Sequence, residues 1–393
     1  MSATPGGPFA PTHAEALRRL EAVNPHEYAR SRNALDGAVT GLSPYLAHGV
    51  IGMREAIERI ALRHPIGFAD KLSFEFGWRE FFHHVWSHCG DAVLRDMHSA
   101  ELWPGRYADA LPADIREGRT GVPVVDAAVR QLYATGYLHN HARMWLASYV
   151  VHLRKVSWRA GADWLYGHLL DGDVPSNHLS WQWVAATFSR KPYLFNAENV
   201  ARFAPQAEAD AWLSPGTVID TSYEALDHIA RSQRDVGPER GVHAAVDEPP
   251  LLPRPPEHLI ANAVTRFDAG GRPVRWVHPW QLDEPDTAAA AARFGVIHLP
   301  AHAALPWSER RWRWVLARMA DVTEAVFIGD VAKLDGGDDA ATTHAPMPGY
   351  DAAFAGHAQL LPAPRWLPNP ERLCSSFSRF YQVVQREAAP RRR

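Results

Sequence analysis

From Thr12 to about Phe203 the chain carries helical periodicity with few strand signals, interrupted only by short Gly, Pro and Asp breaks. A stretch of that length confines the first half of the chain to helices packed on helices. The periodicity predicts helices over His13–Ala22, Met53–Arg63, Ala69–His88, Pro123–Thr135, His139–Val156 and Ala160–Leu169. Thr120 and Gly121 precede Pro123, a residue suited to a first helical turn, and Gly136 supplies the stop. Gly161 and Gly172 read as further breaks. From Val246 to Pro256 the prolines of VDEPPLLPRPP end helical propagation and set a domain boundary. Beyond it the pattern changes to short strands at Val274–Val277, Val296–Leu299 and Ala325–Ile328, with a helix at Ser308–Ala320. Strand, helix, strand in that order predicts a small α/β domain with parallel strands. Asp335–Pro348 reads as a Gly/Asp/Thr loop, and Arg391–Arg393 as a solvated tail. The expected architecture is therefore α+β and multi-domain. A helical domain spans 1–245, a Pro-rich linker 246–258, and a small α/β domain with its tail 259–393.

Composition narrows the function classes. The 393 residues carry 41 Lys plus Arg against 44 Asp plus Glu, so bulk charge excludes a histone-like binder while leaving room for a local basic patch. Two cysteines, Cys89 and Cys374, supply neither a disulfide framework nor a four-cysteine metal site. The N-terminal residues lack the basic flank and apolar run of a signal peptide, and no stretch approaches a membrane span. The expectation is a soluble cytoplasmic protein with no membrane and no disulfide partner. Histidines at 83, 84, 88, 139 and 141 show no metal-ligand spacing, so no metal is expected. The 15 tryptophans are the unusual feature, because indoles pack cores, stack ligands or anchor interfaces.

Three clusters concentrate chemistry. Glu75, Trp78 and Arg79 fall at i, i+3, i+4, placing a carboxylate, an indole and a guanidinium on one helical face. Asn140, Arg143 and Met144 repeat that spacing with an amide, a cation and a thioether. The segment DGDVPSNHLSWQW then brings Asp171, Asp173 and Asn177 close to Trp181 and Trp183. An Arg on one helix and two Asp at a later turn make buried ion pairs or hold a polar heterocycle, since buried charges need partners.

The blocks TGLSPYLAHGV, FEFGWREFFHHV, GRTGVPVVDAAVRQLYATGYLHNHARMWLASYVVHL and VSWRAGADWLYGHLLDGDVPSNHLSWQWVAATFS, in this order, closely resemble the flavin-binding domain of the DNA photolyase and cryptochrome family over roughly residues 25–200. Against that family's pattern the chain reads as a short member without the usual N-terminal α/β antenna domain. The resemblance implies an FAD folded into a U inside the helical domain. Tyr28, Thr40 and Ser43 match phosphate-side contacts, and Arg143 with Asp171 matches the ion pair beside the isoalloxazine. Asp173 matches the carboxylate near the ring and ribityl chain. Asn177 matches the residue facing flavin N5, where asparagine is the pattern of repair enzymes.

On the substrate side Glu75, Trp78, Asn140, Met144 and Trp183 match the positions that contact a cyclobutane pyrimidine dimer, with Arg79 and His141 beside them. Two indoles offer stacking faces to a flipped-out dimer, and Glu75 and Asn140 offer hydrogen bonds to its edges. Asn140 stands where six-four photolyases carry histidine. Trp181 and Trp158 match the proximal and middle members of the family's electron-transfer chain, with Trp103 or Tyr107 as the outer member. The chain departs from the family at His141 in place of arginine, Ser180 and Phe188 in place of glycines, and a shortened KPYLFNAEN segment that loses a DNA-side arginine. Fewer backbone cations weaken duplex binding, which favours single-stranded DNA. The resemblance implies light-driven repair of pyrimidine dimers in DNA, with a cryptochrome-like photosensor as the alternative. It leaves open whether an antenna chromophore binds. The α/β region carries no nucleotide-binding motif, and it either packs where the antenna domain would sit or holds a second chromophore.

Overall fold

The computed structural model describes residues 8–99, 102, 105–239, 244–260, 263–286, 290–334 and 339–388. Its first part is helical: α1 (His13–Ala22), α2 (Pro25–Ser31), α3 (Ser43–Ala47), α4 (Met53–Ala61), α5 (Lys71–Cys89), α6 (Ala113–Arg116), α7 (Pro123–Thr135), α8 (Asn140–Ser148), α9 (Trp158–His168), α10 (Val174–Ala185), α11 (Ala197–Phe203), α12 (Ala209–Trp212) and α13 (Tyr223–Arg231). The later part interleaves β1 (Leu251–Leu252), β2 (Ala263–Val264), β3 (Val274–Val277), β4 (Ala292–His298), α14 (Leu299–Ala304), β5 (Trp307–Ser308), α15 (Glu309–Val322), β6 (Ala325–Gly329), β7 (Ala340–Thr343), α16 (Tyr350–Phe354), β8 (Gln359–Leu361) and α17 (Phe377–Ala388). Among the described residues no helix is long and apolar enough to cross a membrane.

Helix ends fall where the sequence writes a cap. Pro123 opens α7, and Gly136 closes it at φ 70°, a conformation costly for residues with a Cβ. Asp173 caps α10 by accepting from the Ser176 N–H. The long helix expected over His139–Val156 is α8 followed by a wider-wound π segment, Tyr149–Leu153. Gly161 is not a break. It lies inside α9, where a Cβ would collide with the Trp181 ring, so glycine here permits close approach of α9 and α10.

The sheet runs β2-β6-β4-β3-β7-β8 with every neighbouring pair parallel. From β3 the chain steps outward to β4 and β6, then returns to β7 on the other side of β3, so the order reverses between β3 and β7. That is the doubly wound plan and its topological switch point. Strand β7 lies in the stretch expected to be loop, because its AATT sequence lacks the branched apolar run that announces a strand.

The two parts share one core, in which Tyr45, Leu46, Val50 and Tyr166 pack with Trp280, Trp307, Trp312 and Tyr350. At the switch point His278 is buried and its Nε2 lies 3.1 Å from both the carbonyl and the hydroxyl oxygen of Thr343. The following loop docks on the helical part. His48, fully buried, sets Nδ1 2.6 Å from Pro279 O and Nε2 2.8 Å from Leu170 O, and a neutral ring donates to one of the two. Leu282 N–H donates to His48 O at 2.9 Å.

The Pro-rich segment is tied down as well, with β1 pairing antiparallel to β5 and Glu248 paired to Arg116. The last helix does not cover the sheet. Helix α17 returns to α5, where Phe377 stacks on Trp78 at 4.2 Å and 11° and meets Phe74 edge-on at 4.7 Å. Such aromatic pairs are worth about 0.5–1.5 kcal/mol each beyond their buried area.

Candidate flavin site

Two carboxylates on either side of Gly172 organise the site. Arg143 Nη2 donates to Asp171 Oδ2 at 2.7 Å while its Nε holds the Leu138 carbonyl at 2.9 Å, so the guanidinium is fixed at both ends. Asp173 Oδ2 receives Arg79 at 3.3 Å, lies 3.0 Å from His83 Nε2, and caps α10. Arg79, expected on the substrate side, is therefore engaged with the flavin-side carboxylate and with Leu46 O. Burial alone would raise the Asp173 pKa, but the neighbouring His83 and Arg79 hold the carboxyl well below its ordinary range. Burial, with Arg79 beside it, pushes His83 down.

Each carboxylate keeps one oxygen open. Asp171 Oδ1 and Asp173 Oδ1 are buried without a hydrogen-bond partner. An unmet buried acceptor costs about 1–3 kcal/mol and more when charged. A donor-bearing ligand at this turn removes that cost, and the imide and ribityl hydroxyls of FAD are such donors. The residues present fit the cofactor. Asn177 agrees with this arrangement, since its Nδ2 donates to Ala162 O at 2.9 Å and its Oδ1 is left as the accepting end.

Of the residues expected on the phosphate side, Ser43 shares the neighbour Tyr137 with Asp171. Thr40 Oγ1 accepts from Leu42 N–H at 3.3 Å, and Gly41, at φ 61°, lets Arg19 come close to the loop. Tyr137 links the loop to the carboxylates. Burial raises its pKa, with Arg143, Asp171 and Ser43 among the neighbours that act on it, and Arg143 lies 5.4 Å over its ring. Burial also raises the Tyr28 pKa, assisted by Glu75.

Glu75 lies 2.9 Å from Lys71 and 3.5 Å from Arg32. Burial first, then Arg32, pushes His141 down to about 4, and its ring stacks on Phe203 at 4.9 Å. Thus α5, the end of α2 and α8 meet around Arg32. Asn140 is exposed, with its amide 3.5 Å from Met144 Sδ. Trp183 is half-buried beside Tyr193 at 5.9 Å. Trp78 has one ring face covered by Phe377.

Trp181 is buried against α9, and Trp158 donates Nε1–H to Asp96 at 2.6 Å. Burial, with Asp96 nearby, raises the pKa of Tyr107. Trp103 lies outside the described residues.

Sequence reading missed Arg19, Arg32, His83 and Tyr137. His83 is the one with a local signal, because it lies one helical turn beyond Arg79 on the same face of α5. A cavity of about 290 Å³ lined by Tyr133, His168, Arg310 and Trp314 lies elsewhere and includes none of the expected site residues.

Comparison with known proteins follows the same outline. Residues 72–213 match the FAD binding domain of DNA photolyase. The deoxyribodipyrimidine photo-lyase of Synechococcus sp. is 32% identical over 239 residues, covering 57% of this chain and 48% of that protein. The deoxyribodipyrimidine photo-lyase of Thermus thermophilus is 40% identical over 166 residues, covering 42% of this chain and 39% of that protein. A cryptochrome from Synechocystis sp. matches as a structure with 25% identity and a TM-score of 0.47, covering 59% of this chain and 53% of its own. The chain thus spans under half the length of these curated relatives. With its paired carboxylates and the match over residues 72–213, this part of the chain is similar to the FAD binding domain of DNA photolyase.

Proposed function

We propose that this protein repairs cyclobutane pyrimidine dimers in DNA by light-driven electron transfer from reduced FAD, acting on single-stranded DNA in preference to duplex. The observation that carries the reading is the turn at Asp171–Asp173, with one open oxygen on each carboxylate and a fixed arginine behind each. When bound, FAD supplies the excited-state electron, and the protein supplies position, electrostatics and exclusion of water. Arg143 fixes Asp171 by a hydrogen bond, and His83 and Arg79 hold the Asp173 carboxyl below its ordinary range. Asn177 presents an accepting oxygen, with its amide nitrogen tied to α9. Glu75 and Asn140 offer hydrogen bonds to the pyrimidine edges, Met144 and Trp183 offer packing surface, and Trp181 and Trp158 form the inward route for an electron. Arg32, paired with Glu75, also acts on His141, the residue that replaces the usual arginine.

Several relatives bear the name deoxyribodipyrimidine photo-lyase, which supports this reading. One observation favours a second one, a blue-light sensor without repair activity. Phe377 occupies a face of Trp78, and a sensor has no need of that face. The test is illumination of the reduced, flavin-loaded protein with thymine-dimer oligonucleotides, single-stranded and duplex, against a dark control. Light-dependent loss of dimers, faster on the single strand, is the expected result. No loss on either strand, with flavin bound, leaves the sensor.

A further inference from the structure

Arg311 belongs to α15 of the α/β part, yet its guanidinium ends inside the helical part. The residue is fully buried. Nη1 donates to Tyr166 O at 2.8 Å and Nη2 donates to Gly172 O, the carbonyl between Asp171 and Asp173. The guanidinium carbon lies 4.4 Å over the Tyr166 ring and 4.0 Å over the Trp307 ring. Among the described residues no carboxylate lies within ion-pair distance of it. Burial lowers its pKa, and Asp171 and Asp173 are among the groups that oppose the shift. Gly172 is shaped for this contact, because a Cβ there would collide with the guanidinium and with Tyr166 O. From the other side His48 Nε2 faces Leu170 O.

A buried cation without a carboxylate partner is a poor device for stability alone. What it does hold is geometry. The carbonyls on either side of the Leu169–Asp171 bend are fixed by one planar fork, which sets how the next two side chains leave the backbone.

We propose that Arg311 is a positioning residue of the flavin site, reaching from the α/β part to fix the turn that presents Asp171 and Asp173, so that FAD retention depends on the α/β part. The inference rests on the reading that FAD is held at this turn. It also explains why α15 packs on α9 instead of capping the sheet alone.

The test uses the full chain. Arg311→Met, Arg311→Lys and Gly172→Ala are compared with Asp171→Asn for FAD dissociation constant, the visible circular dichroism of the bound flavin, and helical content well below the melting temperature. Arg311→Met leaves two buried carbonyls unmet and weakens FAD binding about tenfold or more. It also changes the flavin dichroism at unchanged helical content. Arg311→Lys keeps a donor and the charge, and recovers part of the loss. Should Arg311→Met fail to fold, Gly172→Ala tests the same contact with Arg311 retained, and the same loss is expected. Wild-type affinity and dichroism in Arg311→Met, with binding lost in Asp171→Asn, overturn the positioning role. Wild-type binding in Asp171→Asn overturns the placement of FAD at the turn, and the positioning role falls with it.

Discussion

Among the described residues the unmet carboxylate oxygens all lie in the helical half and the unmet indole nitrogens in the α/β half, a difference that separates a ligand site from an interface. At Asp171–Asp173 the unmet atoms are carboxylate oxygens, the most costly acceptors to bury dry. In the α/β half they include the indole nitrogens of Trp280 and Trp307, whose rings lie among other aromatics. Trp280 meets Tyr350 edge-on at 5.0 Å and Trp307 edge-on at 5.8 Å, and aromatic faces are weak acceptors for N–H groups. The switch point, where doubly wound sheets commonly bind ligands, is filled by His278 facing Thr343 and by a loop docked on His48. Here the crevice serves to join the halves. On the proposed reading, the helical half keeps its open acceptors for FAD.

The largest effect expected from this contrast comes from Asp171→Ala. Removing one partner of a buried pair costs about 3–5 kcal/mol, because Arg143 keeps its charge and loses its carboxylate. In the wild-type chain freed of flavin, FAD at a hundred times its dissociation constant adds about 2.7 kcal/mol by mass action. Thermal melts with and without FAD check both quantities. The FAD-induced shift should vanish in the variant, and ATP offered to either protein should produce none. An FAD shift of equal size in Asp171→Ala would break the contrast, as would an ATP shift removed by His278→Ala.

A pH series sharpens it. His152 in the helical half and His278 in the α/β half are both buried, and burial pushes each down to about 4. The unfolded chain takes up protons at these sites near pH 6.5 and the folded chain does not until near 4. Their contribution to stability is therefore complete above 6.5, falls as the pH drops toward 4, and is level below that. Each site steepens the decline by about 1.4 kcal/mol per pH unit. His152→Gln and His278→Gln should each flatten the stability curve within this window alone. If one flattens it and the other leaves it unchanged, the halves unfold separately and the shared core does not couple them.

Much of the helical half was legible because its chemistry is local. The segment DGDVPSN carries both carboxylates, the cap of α10 and the asparagine within a few residues, and the family resemblance pairs Arg143 with Asp171. Arg32, Arg311 and His48 were not legible, since their partners lie far away in sequence and no local pattern reports such meetings. Gly161 misled because a glycine in a helical pattern reads as a break, whereas close packing against Trp181 requires it. In the α/β half Val274–Val277 was clear from its branched and aromatic residues. The AATT of β7 and the QLL of β8 are too short and too plain to signal strands, so the doubly wound order emerges only from the fold.

The smallest expected change in stability comes from Trp158→Phe, and it carries the sharpest functional readout. Phenylalanine keeps most of the buried ring and loses the 2.6 Å bond from Nε1 to Asp96, a cost of about 1–3 kcal/mol where the acceptor is ionised. Asp96 is also a neighbour of Tyr107, so the substitution removes the indole on Asp96 while leaving that tyrosine in place. Light-driven reduction of the bound flavin should slow at least tenfold, with flavin content and the FAD-induced thermal shift unchanged. Tyr107→Phe should slow it less. Equal photoreduction rates in Trp158→Phe and the wild-type protein would mean that electrons enter by another path, and the aromatic contacts of Arg311 with Trp307 and Tyr166 would make the α/β half the next place to look.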